Sequence, residues 1–242
     1  MMLSHPGVIY RRIPAADPEL VAEAGRYAIA DLHEALGSVA GRMGLMTPRM
    51  RPTAPGHRIV GQAVTAYNFP GDNLMIHKAL QLAQAGQVLV LTNGGGEHGA
   101  LWGDVAGTFA KKKGIAGVIV DGPARDVDEL RGMELPVWAT SISPSHPQKR
   151  GPGAVNVPVV CDGVLVNPGD IIAADGDGVL VIPREQLRNA IEGARARSGK
   201  ETVIRGRVAA GESLFDILGM QALIEAAGIP ERDDVWPGRT SS

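Results

Sequence analysis

The chain has 242 residues, 24 of them basic and 26 acidic, for a formal net charge of −2, with a hydrophobic fraction of 44% and a charged fraction of 21%. Those values exclude an intrinsically disordered chain, which needs low hydrophobicity and high net charge. They also argue against a nucleic-acid binder: no block of five like charges occurs, and the longest basic run, Lys111-Lys112-Lys113, reads as a solvated helix end. Cys161 is the only cysteine, so no intramolecular disulfide can form, and its place in the apolar run 157–166 reads as a buried structural thiol. No stretch of about 18 apolar residues suggests a membrane span, and the N-terminus lacks a signal-peptide pattern. We therefore expect a cytoplasmic protein with neither membrane nor nucleic acid as partner.

Asp17-Pro18-Glu19 reads as an N-cap, a proline at the first helical position and an acidic first turn. The helix should run to about Leu36, with Leu20, Ala24, Ala28, Leu32 and Leu36 as its apolar stripe and Gly37 as its stop. Three prolines and several arginines make 43–57 an irregular loop. A strand is expected over 59–67. Asp72 then opens a helix whose inner face is Leu74, Met75, Ala79, Leu80 and Ala83. The nearly all-apolar run 87–92 suits a strand covered on both faces of a sheet. A glycine-rich loop over 93–99 follows, then a helix over 104–113, a strand over 117–120, a short helix from near Arg125 and a strand over 137–140.

Beyond a Ser-, Pro- and Gly-rich stretch at 141–153, short strands are expected over 155–160, 164–166, 170–173 and 179–182. Asp175-Gly176-Asp177-Gly178 supplies a hairpin turn. Helices resume over 183–197 and 213–227, before a polar tail. This order predicts one α/β domain over residues 1–242 with layered sheets, closed by C-terminal helices over 183–228.

Gly94 to Gly99 contains G-x-G-x-x-G after a strand, and Asp121 ends the next strand, as in a dinucleotide fingerprint. In a true fingerprint the third glycine lies inside the helix. Here the better helix start is Asp104, and the preferred reading is a loop and helix N-terminus that bind a small carboxylate through backbone N–H groups.

The chemistry is expected between Asp104 and Glu129. Two strand-turn units, QVLVLTNGGG and GVIVDGP, would bring Asp104 and the pair Arg125-Asp126 to one carboxyl edge of a parallel sheet, where open α/β sheets bind ligands. A carboxylate such as Asp126 can ligate Mg²⁺, and such a cation can chelate the keto and carboxylate oxygens of a 2-oxo acid. Arg125 offers a permanently charged donor fork to a developing enolate, and the amides of Val105 and Ala106 could hold the carboxylate. An Arg-Asp pair at a helix start is also often just a cap and a surface ion pair, and Glu129 is in most proteins a solvated helix residue.

The segment WGDVAGTFAKKKGIAGVIVDGPARDVDEL, Trp102 to Leu130, resembles the 4-hydroxy-4-methyl-2-oxoglutarate / 4-carboxy-4-hydroxy-2-oxoadipate aldolases of the RraA-like family. Asp104, Arg125, Asp126 and Glu129 meet their D-x20-R-D-x2-E/D pattern. PGDNLMIHKAL, LPVWATSIS, VNVPVVCDGVLVNPGDIIAADGDGVLVIP and GVIYRRI carry the likeness over nearly the whole chain.

The resemblance implies a layered α/β/β sandwich resembling swivelling pyruvate-phosphate domains, assembled as a homotrimer or homohexamer with sites between subunits. It implies Mg²⁺ or Mn²⁺ bound directly by Asp126 and through water by Asp104. Arg125 would bind the keto oxygen, Gly103, Val105 and Ala106 would line the carboxylate's seat, and Glu201, by alignment, would be the acidic residue supplied by a neighbour. The activity implied is class II retro-aldol cleavage releasing pyruvate, with oxaloacetate decarboxylation through the same enolate. No lysine stands in a recognisable Schiff-base position, which favours metal over imine chemistry. Glu97 and His98 occupy a variable loop expected to shape the substrate's far end. The family also includes regulators that bind an RNA-degrading endonuclease; the longer C-terminal helices here suit the aldolases better.

Overall fold

The computed structural model describes residues 7–236. In chain order its helices are α1 (Pro18–Ala24), α2 (Ile29–Ala35), α3 (Gly37–Gly44), α4 (Leu74–Leu82), α5 (Asp104–Lys113), α6 (Val127–Gly132), α7 (Leu187–Ala209), α8 (Leu214–Ile217) and α9 (Met220–Ala226). The strands are β1 (Arg51–Pro52), β2 (Ile59–Asn68), β3 (Val88–Thr92), β4 (Gly117–Ala124), β5 (Val137–Ile142), β6 (Gly153–Val155), β7 (Val159–Cys161), β8 (Val164–Val166), β9 (Ile171–Ala174) and β10 (Val179–Ile182).

The main sheet runs β1-β5-β4-β3-β2-β9-β10, with β6 also on β2. Strands β2, β3, β4 and β5 are mutually parallel, and β9, β10 and β6 join antiparallel. The long β2 pairs with β9 through 59–62 and with β3 through 63–67, so it carries the sheet around a bend. Hydrophobic residues cover both faces. On one, α4, α5 and α6 pack through Ile76, Leu80, Ala110 and Leu130 against Leu89, Leu91, Val118 and Val120. On the other, the β7–β8 hairpin packs through Val159, Cys161 and Val166 against Val90, Ile119 and Trp138. A third cluster seats α1, α2 and the start of α7 on β9 and β10. The architecture is a layered α/β fold, and Cys161 is fully buried within it. The described chain forms two compact units, one up to Arg197 and one from Ser198 onward.

Two expectations of a single element are corrected. The helix expected from Asp17 to Leu36 starts as foreseen, with the Asp17 carboxylate accepting from Glu19 N–H at 2.9 Å, but breaks over 25–28 and resumes as α2. Gly25 weakens a continuing helix, and the break still lets Ala24, Ile29 and Leu32 face one cluster. Gly37, read as a stop, opens α3 at φ +80°, so the loop expected from Met43 begins inside a helix. The strand expected over 155–160 is split by Asn156, whose φ of +56° turns the chain. On α4 the inner face includes Ile76, whereas Leu74 is exposed.

Candidate active site

Strand β4 outruns its expected end at Val120. Its pairing with β5 shifts register between Val120 and Pro123, where Gly122 adopts φ +151°. This bulge carries the backbone through Pro123 and Ala124 to Arg125. The segment before α5 runs alongside: Leu101 N–H donates to Pro123 O at 2.8 Å and Arg125 N–H to Trp102 O at 2.9 Å, with a parallel bridge between Trp102 and Ala124. Sequence spacing alone therefore becomes a contact between the start of α5 and the end of β4.

Arg125 Nε lies 3.2 Å from Asp126 Oδ2, and both side chains are about one-third exposed. The same Oδ2 accepts from Asp104 N–H at 3.4 Å. A pair this open to water adds little stability; its effect is to fix two side chains against a helix N-terminus. Asp126 caps α6 in the left-handed region, at φ +54°, a conformation uncommon for non-glycine residues and tolerated best by Asp and Asn. Gly103 sits between the parts: a Cβ there would stand 2.6 Å from Asp126 Oδ2 and 3.1 Å from Arg125 Cγ. Val105 N–H donates to Asp104 Oδ1 at 2.6 Å, so a bound carboxylate would have to replace that oxygen.

Gly103, Asp104, Val105, Ala106 and Arg125 line a cavity of about 660 Å³, and Asp126 adjoins it through Arg125. The rest of its lining was not foreseen. Asn73, the N-cap of α4, and Ile76, His77 and Leu80 from α4 itself contribute, with Lys149 from the segment after β5. Their spacing of i, i+3, i+4 and i+7 marks one helical face, which is the signal the sequence offered. Partial burial and then the nearby Lys149 charge lower the His77 pKa. Trp102 is also in the wall, with its indole N–H buried and unpartnered among the described residues.

Besides Asp126, four sequence candidates are not among the residues that line the cavity. Glu97 and His98 are exposed on the glycine loop, apart from the cavity lining. Glu129 is exposed on α6. Glu201 belongs to the second unit, where it pairs with Arg205 at 2.7 Å. Lys149, expected not to stand in a Schiff-base position, is exposed yet lines the cavity, so exposure does not by itself exclude an imine-forming lysine.

The donor chemistry suits a hard divalent cation. Asp104 and Asp126 are part-exposed carboxylates on one edge, and Mg²⁺ keeps most of its waters and needs only one or two of them. Among the described residues no group of three or more His, Cys, Asp or Glu side chains forms a ready-made cage.

A layered α/β fold with an Arg-Asp pair at the carboxyl edge of its parallel strands defines the class to which the comparisons also point. The chain belongs to the RraA-like family, whose Aldolase/RraA model matches residues 29–181. A Burkholderia mallei protein named "Putative 4-hydroxy-4-methyl-2-oxoglutarate aldolase" is 40% identical over 153 residues, 63% of this chain and 92% of the relative. A crystal structure of an uncharacterised Pseudomonas syringae protein superposes with a TM-score of 0.75 at 28% identity, over 84% of this chain and 98% of the other. Streptomyces coelicolor RraAS2, described as an unusual member of the RNase ES inhibitor RraA protein family, superposes at 0.72 and 28% identity, over 80% and 100%.

Proposed function

We propose that this chain is a divalent-metal-dependent, class II pyruvate aldolase. Its substrates are 4-carboxy-4-hydroxy-2-oxoadipate or 4-hydroxy-4-methyl-2-oxoglutarate, and oxaloacetate decarboxylation is a side activity. The observation that carries the reading is the Arg125 side chain beside Asp126 and the α5 N-terminus, on the wall of a cavity large enough for such an acid.

In this reading the first-turn amides of Val105 and Ala106, with the positive end of α5, seat the substrate carboxylate. Gly103 leaves room for the Arg125 and Asp126 side chains. Arg125 donates to the keto oxygen and stabilises the negative charge that grows there as the C3–C4 bond breaks. Asp126, with Asp104 beside it, would hold Mg²⁺ or Mn²⁺, which when bound supplies Lewis-acid polarisation of that same oxygen. Glu201 from a neighbouring subunit completes the site in a homotrimer or homohexamer.

Removing Asp126 tests the ligand assignment. Asp126→Ala abolishes pyruvate release, and Arg125→Ala lowers kcat/KM by about 10³-fold or more, with circular dichroism unchanged in both. Metal-dependent turnover that survives Asp126→Ala contradicts the assignment. Because Lys149 lines the cavity, borohydride is added with pyruvate as a control; inactivation with a mass increase on Lys149 would replace the metal reading with an imine one.

A second reading is an RraA-like regulator that binds an RNA-degrading endonuclease. Its support is the superposition on RraAS2. It requires no turnover of any 2-oxo acid.

A further inference from the structure

Aldol cleavage needs one group that the Arg-Asp edge does not supply. The C4 hydroxyl must lose its proton as the carbon–carbon bond breaks. Arg125 is a permanent cation and cannot accept it. Asp104, in the proposed function, is committed beside Asp126 to the cation. Four ionisable residues line the cavity: Asp104 from α5, Arg125 from the end of β4, Lys149 from the segment after β5, and His77 from α4. His77 lines the same cavity as the α5 N-terminus that would hold the substrate's carboxylate end, but comes from a different helix, α4.

We propose that His77 is the general base that takes the C4 hydroxyl proton, an inference that rests on the aldolase reading. Nε2 or Nδ1 of the imidazole accepts the proton, and the O–H electrons form the new C4 carbonyl. The C3–C4 electrons pass to C3 and generate the pyruvate enolate beside Arg125. The enolate carbon takes its proton from water, which releases pyruvate, and the imidazolium gives its proton to the hydroxide so formed, which restores neutral His77. No oxidant or further reactant is needed.

Two features of the site suit the role. No protein group among the described residues hydrogen-bonds the His77 ring, so both nitrogens are available to a ligand. Partial burial and the Lys149 charge both favour the neutral imidazole, the form able to act as a base near neutral pH. Arg125 adds positive charge to the same cavity and Asp104 the one negative charge facing it.

The full-length, metal-loaded protein provides a test through two substrates. Oxaloacetate decarboxylation gives the same enolate but loses carbon dioxide, with no hydroxyl proton to remove. His77→Gln should lower kcat for cleavage of 4-carboxy-4-hydroxy-2-oxoadipate by on the order of 10²- to 10³-fold, and decarboxylation by far less. The ratio of the two activities therefore shifts by about 100-fold. The acid limb of the wild-type cleavage profile should also vanish in the variant. An equal fall in both activities, or cleavage at the wild-type rate, overturns the assignment. So does a ratio that shifts with Asp104→Asn and not with His77→Gln. Wild-type protein that performs neither reaction refutes the aldolase reading itself; wild-type protein that performs both, with no change of ratio in His77→Gln, refutes only the role of His77.

Discussion

Gly103 is the residue where packing and chemistry meet most tightly. It is extended, so its need for glycine is spatial: a methyl group would stand 2.6 Å from Asp126 Oδ2. Gly103→Ala should push Asp126 and Arg125 apart and cost on the order of 10²-fold in kcat/KM, with little change in melting temperature. An unchanged kcat/KM would show that the Arg-Asp geometry does not matter. Asp121, buried within β4, supports a different prediction. Burial raises its carboxyl pKa, partly offset by hydrogen bonds from the Asp162 backbone and Thr92. A folded-state pKa raised above the unfolded one contributes stability below the ordinary carboxylate value, lost as pH rises through the folded value. Asp121→Asn should therefore raise the melting temperature, relative to wild type, more at neutral pH than at about pH 4. Equal shifts at both would contradict this. The Arg125-Asp126 edge was legible in sequence because both residues follow strand-turn units. His77 and Lys149 were not, because an exposed residue on a helix or loop reads as solvated surface until a cavity is seen beneath it.

At the scale of elements, the bulge in β4 and the neighbouring strand β5 hold the edge in place. Trp138 on β5 is fully buried and donates its indole N–H to Asp175 O at 3.1 Å. Trp138→Ala should cost about 3–5 kcal/mol of unfolding free energy, measured by urea titration; a cost below about 1 kcal/mol would mean that this face of the sheet is not packed as described. Strands β3, β8 and β10 and helix α5 were legible because their apolar runs and caps agree with the sheet that covers them. The continuous N-terminal helix was misread because a four-residue stripe survives a break. Ala24 and Leu32 reach one cluster from two helices as readily as from one. The extension of β4 past Val120 was hidden because Asp121-Gly122-Pro123 has turn composition; the pairing of Pro123 and Ala124 with Ser141 and Ile142, and the Thr140 hydroxyl, which accepts from Gly122 N–H at 2.9 Å, keep it in the sheet.

For the whole molecule, sheet order decides where function can lie. Parallel β3 and β4 are adjacent, in register from Val88 opposite Gly117 to Thr92 opposite Asp121, so the loops after them share one edge. That adjacency was inferred from the strand-turn repeats, whereas the bend of β2 into a second set of strands depends on pairings far apart in sequence. Among the described residues no helix is long and apolar enough to cross a membrane. Light scattering on the eluted protein should give three or six copies under the proposed assembly; a monomer with full activity would remove the need for Glu201 of a neighbour. The most direct test of the central claim is pyruvate release from 4-carboxy-4-hydroxy-2-oxoadipate, coupled to NADH oxidation through lactate dehydrogenase, with Mg²⁺, with Mn²⁺ and with EDTA. The account predicts release that EDTA stops and that Arg125→Ala reduces by about 10³-fold or more. Absence of release from folded, metal-loaded wild-type protein, with oxaloacetate equally untouched, would contradict it.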